Sequence, residues 1–176
     1  PTASVNVVYQ MCHLFSHYFD EGLGLRQLMD YYFALRVWHN DVMECKDLQS
    51  QGMWSEGLGT AVMSKEEVMA VLRSFGMKKF ASAVMYVLHE VFAIPTNYYI
   101  CEPNEKEGRK LLEEIMKGGN FGQYDERGKE FKNGGMVKHG VWKLKRVMRL
   151  VRSYPEEALW EPVFRVYHLG WRMIHY

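Results

Sequence analysis

The segment His13–Asp30, HLFSHYFDEGLGLRQLMD, holds more side chains capable of chemistry than any other stretch of this chain. It carries two histidines, the adjacent carboxylates Asp20 and Glu21, two glycines, Arg26 and Asp30. His13 and His17 are four residues apart. On a helix that spacing stacks two imidazoles on one face, as helix-borne metal ligands are. HxxxH lacks the glutamate that serves as general base in HExxH, and no third ligand is evident. The segment is therefore read without a metal. Arg26 follows the glycines and could offer a guanidinium to an anion, held in place by Asp30 at i+4. A surface salt bridge is the simpler reading of the same pair. Asn6 and Gln10 extend the polar stripe of His13 and His17 at helical spacing. The expectation is a helix–turn–helix corner lining a cleft, with His13, His17, Arg26 and Asp30 as its polar candidates.

A second candidate is electrostatic. Lys132, Lys138, Lys143, Lys145, Arg146, Arg149 and Arg152 occur with no acid between Glu130 and Glu156. Such a run can contact phosphates, with Lys143, Arg146 and Arg149 as the candidates. It can equally be a solvated helix side. Gly118–Gly122, GGNFG, could present backbone amides to an anion, although it reads better as a helix stop. There is no GxSxG, GxxxxGK[ST] or GxGxxG motif, which leaves no nucleophile elbow and no standard nucleotide-phosphate loop. Cys12, Cys45 and Cys101 are odd in number and scattered, as free thiols in a reducing, cytoplasmic setting would be.

These residues need elements to position them. Periodicity of 3.6 predicts helices over 4–20, about 25–38, 64–75, 78–92, 105–117 and 137–152, with a last one from Pro155. In the first, Val5, Val8, Tyr9, Cys12, Phe15 and Phe19 form the expected apolar face. In the second, it is Leu25, Leu28, Met29, Tyr32 and Leu35. Gly22 and Gly24 mark the corner between them. Ser64-Lys-Glu-Glu67 is a capping box, and Asn104 is placed to cap a helix. Residues 39–63 and 118–136 read as internal loops. No alternating strand is visible. The fold class is all-α, a bundle of six or seven helices with no substantial sheet.

The totals agree. The chain has 176 residues, of which 48% are hydrophobic and 24% charged, enough for one full core. A net charge of +1 gives no global case for nucleic acid. No apolar run approaches the ~20 residues of a membrane span. The chain starts at Pro1 without an initiator Met, and is expected to be the C-terminal part of a longer protein.

HLFSHYFDEGLGLRQLMDYYFALR (13–36), FGMKKFASAVMYVLHEVF (75–92), EPNEKEGRKLLEEIMKGGNFGQYD (102–125) and YPEEALWEPVFRVYHLGWR (154–172) together resemble the helical C-terminal portion of a bacterial nucleotidyltransferase-like family. In that superfamily a Gly-Ser turn holds the nucleotide phosphates and carboxylates on strands hold Mg2+. This sequence has no Gly-Ser dipeptide and no Asp-x-Asp pair. The resemblance thus implies a helical substrate-side domain, inactive alone, that works with an N-terminal catalytic domain. Mg2+ would belong to that domain, and a nucleotide or small-molecule acceptor would approach His13, His17, Arg26 and Asp30. The alternative is a helical protein-interaction module with no nucleotide role.

Overall fold

The computed structural model describes residues 2–20, 22–51, 62–118, 148, 154 and 155. Among them are five α-helices and no strand: α1 (Ala3–Asp20), α2 (Leu25–Ser50), α3 (Lys65–Ser74), α4 (Lys78–Phe92) and α5 (Glu105–Gly118), with a 3-10 turn at Thr96–Tyr98. The all-α class follows directly. The two further helices expected over 137–152 and from Pro155 lie outside the described residues, as does the 118–136 loop beyond Gly118. The chain divides into two units, Pro1–Tyr18 with Gly22–Tyr124, and Phe19–Glu21 with Asp125–Tyr176. In the second unit the buried rings of Phe19 and Tyr154 meet edge to face, 5.9 Å between centroids.

In the first unit α4 is the core helix. Phe80, Ala81 and the whole run Ala83–Leu88 are buried, so neighbours cover it on nearly every side. From α1, the rings of Phe15 and Tyr18 reach Phe80, at 4.9 and 5.5 Å. α5 lies against α4 at very close range. A Cβ on Gly108 would collide with the Cβ and ring of Tyr86. Glycine is therefore required at 108 by space, and the missing side chain sets the helix spacing. Beside this contact the half-turn is clamped by charge. The buried carboxylate of Glu107 meets Lys110 at 2.9 Å and Lys79 of α4 at 3.4 Å. The caps read from sequence are present. Ser64 and Glu67 exchange both bonds of the capping box at the start of α3, and the Asn104 side chain accepts from the Glu107 amide.

Three expectations need correction. Residues 39–63 are not a loop throughout, because α2 runs on to Ser50. The segment 39–50 contains no Gly or Pro, so nothing in the backbone stops the helix. It reads as a loop because none of its described side chains is buried, so it shows no apolar period. The apolar face of α1 was also placed wrongly. Val5 and Tyr9 are 52% and 65% exposed, while Val7, Met11, Leu14, Phe15 and Tyr18 are buried. α1 is apolar on more than one side, and only the packing partner decides which side is covered. In α2 the buried set is Leu28, Tyr31, Ala34, Leu35 and Trp38, whereas Met29 is 40% exposed.

Candidate functional site

The glycine corner forms as expected, but its backbone is covered. α1 ends where Gly22 turns to φ 104° and its amide donates to the His17 carbonyl at 2.8 Å. That φ suits glycine because it has no Cβ. The Gln27 side chain then reaches back to accept from the Gly24 amide at 2.9 Å, which starts α2. Gly22, Leu23 and Gly24 are all buried. The corner is a packed turn.

The candidate residues around it do not gather. His13 and His17 pair with each other, Nε2 to Nε2 at 3.1 Å, with rings edge to face at 4.3 Å. Such a bond needs one nitrogen as donor and the other as acceptor. The Tyr9 ring stacks alongside His13 at 6.0 Å, and Gln10 donates to Asn6 at 3.2 Å. The polar stripe of α1 is thus bonded along its own length. Arg26 and Asp30 are both exposed. Among the described residues neither takes part in an ion pair, so the expected i,i+4 clamp is not formed. None of His13, His17, Arg26 or Asp30 lines either of the two grooves described next. Lys143, Arg146 and Arg149 lie outside the described residues. Among the described residues no group of three or more His, Cys, Asp or Glu is arranged to hold a metal ion.

One concavity formed by described residues lies elsewhere, between α3, the start of α4 and the segment Ile100–Glu102. It has a volume of about 380 Å³ and is lined by Lys65, Glu66, Met69, Arg73, Lys78, Ser82, Ile100, Cys101 and Glu102. That is the size of a small-molecule site. Lys65, Met69 and Arg73 recur every four residues, so they share one face of α3. Eight residues of helix separate the two cations by about 12 Å along the axis. Lys78, at the first position of α4, brings a third cation. Met69, Ile100 and Cys101 supply apolar surface between them, and Glu66 and Glu102 supply two carboxylates. Among the described residues, Lys65, Arg73 and Lys78 are in no ion pair. Their charge is therefore available to a ligand.

Cys101 reports the electrostatics of this groove. Burial pushes its thiol up to about 11, against the pull of Lys65, Arg73 and Lys78 and with a further push from Glu102. Desolvation wins over three cations. At neutral pH the sulfur is a protonated thiol, which rules out a resting thiolate nucleophile. Behind it, the Tyr31 hydroxyl is fully buried with no hydrogen-bond partner among the described residues. Burial, with Cys101 and Cys12 adding to it, raises that phenol well above its ordinary range.

A smaller groove of about 230 Å³ shares Lys65 and Glu66 and continues towards Trp38, His39, Lys46, Asn97 and Tyr99. Its wall is fixed by direct bonds. The Trp38 indole donates to the Met63 carbonyl at 3.0 Å, and the Met63 amide donates to Ser4 Oγ at 2.8 Å. His39 Nε2 meets the Asn97 amide nitrogen at 3.1 Å, and Tyr99 hydroxyl meets His89 Nδ1 at 2.6 Å. Burial, then the nearby Lys46, lowers the His39 imidazole from its ordinary value.

Sequence reasoning missed Lys65, Arg73, Lys78 and Cys101 as site residues. The four-residue spacing of Lys65, Met69 and Arg73 was a visible signal. It was indistinguishable from an ordinary solvated helix face until Lys78 and Ile100–Glu102 were seen across from it. Among the described residues, no helix is long and apolar enough to cross a membrane. The fold and these grooves define an all-α domain with a cationic, partly apolar cleft. No family model, curated protein or solved structure matches the chain.

Proposed function

We propose that this chain is a helical substrate-side domain that binds a phosphate-bearing small molecule in the groove of Lys65, Arg73 and Lys78. In this reading another domain supplies the metal and the catalytic carboxylates, as the resemblance to the nucleotidyltransferase-like family implies. The observation that carries it is the placement of three cations, none in an ion pair among the described residues, around one groove with an apolar floor. Arg73 and Lys78 flank the turn at 75–77 and would hold phosphate oxygens by charge-assisted hydrogen bonds. Met69 and Ile100 would cover the apolar body of the ligand. Glu66 and Glu102 would accept hydrogen bonds from hydroxyl or amino groups of the ligand. The site proposed from sequence at His13, His17, Arg26 and Asp30 would take no direct part.

Calorimetric titration with pyrophosphate and with a nucleoside triphosphate, each with magnesium, tests this. Saturable binding is expected. It should weaken about tenfold in Arg73→Gln and in Lys78→Gln, since a charge-assisted bond is worth about 1.5–3 kcal/mol and tenfold is about 1.4. No nucleotide transfer should accompany it. Absence of saturable heat, or binding indifferent to both substitutions, would remove the proposal.

A second reading is an interaction module with no nucleotide role. It is favoured by a different observation, the run of Met29, Phe33 and Val37 at four-residue spacing on α2, which are 40%, 48% and 54% exposed. Silent titrations with both phosphate probes would favour this reading over the first.

A further inference from the structure

We infer that α2 pairs with α2 of a second copy of this chain, antiparallel, through the face that carries Arg26, Asp30, Phe33, Val37, Asn40 and Glu44. All six residues are exposed. Their spacing alternates four and three, which is the 3.5-residue seam of a two-stranded coiled coil. The seam runs over 19 residues, about 27 Å of helix from Arg26 to Glu44. It lies within a helix of 26 residues whose opposite side is anchored by Leu28, Tyr31, Leu35 and Trp38. The face is therefore displayed by a fixed scaffold.

Charge selects both the partner and the direction. A two-fold axis at position 35 brings Phe33 of one copy opposite Val37 of the other. It also brings Asp30 opposite Asn40 and Arg26 opposite Glu44. These are the mixed layers that antiparallel helices form. The apolar pair falls at the centre, the polar pair next to it, and the opposite charges at both ends. Because the axis is two-fold, every such contact occurs twice. A parallel pair would instead stack Arg26 on Arg26, Asp30 on Asp30 and Glu44 on Glu44, each repulsive. Arg36 already covers part of the Phe33 ring, its guanidinium carbon 5.9 Å from the ring centroid, so it shields the edge of the apolar layer. Met29 and Met43, 40% and 44% exposed, flank the seam and add adaptable apolar surface. With one apolar layer repeated twice, the dimer is a weak, concentration-dependent one. This inference uses the same exposed stripe as the interaction reading but does not depend on what the groove binds. Binding of pyrophosphate would defeat that reading and leave the dimer untouched.

Sedimentation velocity of the full chain over a range of concentrations, at low and moderate salt, tests it. The expected result is a monomer–dimer equilibrium that weakens as salt rises. Phe33→Glu should abolish the dimer while the helical circular dichroism signal stays unchanged. Arg26→Glu and Glu44→Arg should each weaken dimerisation by about tenfold, and the double substitution should restore it. A chain that is monomeric at every concentration overturns the inference. So does a dimer insensitive to Phe33→Glu, or a double charge swap no better than the single ones.

Discussion

α4 and α2 are both long helices in the first unit, and they do opposite work. α4 has 15 residues and buries eight of them between Phe80 and Leu88. α2 has 26 residues and buries Leu28, Tyr31, Ala34, Leu35 and Trp38, with no described side chain buried beyond Trp38. Close packing around α4 leaves no tolerance. At Gly108 even a methyl group has no room against Tyr86. α2 presents one apolar stripe to the core and a second to solvent. The first helix is where stability resides. The second is where a surface can change without cost to the fold. Function in this unit is accordingly expected at the rims, on α2 and along the α3 groove.

Four measurements would break or sharpen that contrast. The largest effect is expected at the α4–α5 contact. Gly108→Ala forces the helices apart and should cost about 3 kcal/mol or more by denaturant unfolding, at the upper end of overpacking penalties. A cost under about 1 kcal/mol would mean that α4 is not tightly enclosed. Next is the charge clamp beside it. Burial alone would raise the Glu107 carboxyl, but the bond from Lys110 and the charges of Lys79 and Lys110 outweigh burial and hold it below its ordinary value. Its contribution is then complete above the ordinary glutamate value of about 4.3. It declines as pH falls below that and is gone once pH passes through the lowered folded value. Glu107→Gln should cost about 1 kcal/mol at pH 7, modest because Lys79 and Lys110 are 41% and 49% exposed. The cost should vanish in acid; one that persists there would assign Glu107 a packing role.

The third expected effect has the opposite sign. Tyr31→Phe removes a buried hydroxyl that has no partner among the described residues. The protein should be unchanged or up to about 1 kcal/mol more stable, measured as a rise in Tm. A clear loss of stability would show that the hydroxyl is bonded in solution. The smallest effect belongs to α2. Phe33→Ser or Val37→Ser should change stability by no more than about 0.5 kcal/mol, since neither side chain packs in the core. A loss of 2 kcal/mol at either would place the stripe inside the fold and end its reading as a docking face.

Much of the local structure was legible in the sequence. Ser64 and Glu67, Asn104, and Gly22 are local signals, because caps and turns are decided by atoms a few residues apart. Helix periods were legible too, which is why α3, α4 and α5 fall where expected. The second half of α2 was not, because a helix that buries nothing on this chain carries no period to read. The face of α1 was not, because apolar residues such as Val5 and Val7 occur on more than one side of it, and only the packing decides which are covered. The site is a different matter. His13, His17, Arg26 and Asp30 are close in sequence, but closeness in sequence does not by itself make side chains converge in space. The two histidines bond each other, and Arg26 and Asp30 are exposed.

The sequence by itself determined the all-α class, the capped starts of α3 and α5, and the glycine corner. It also held the alternating four-three spacing on α2, which helix geometry alone makes a seam. Only the tertiary structure decided where a groove lies. Lys65 and Arg73 come from one helix, Lys78 from another, and Cys101 and Glu102 from a connector beyond it. No local rule relates them. They meet because Ala81, Ala83 and Gly108 let three elements close around α4, and close packing admits one arrangement of those elements and not its neighbours.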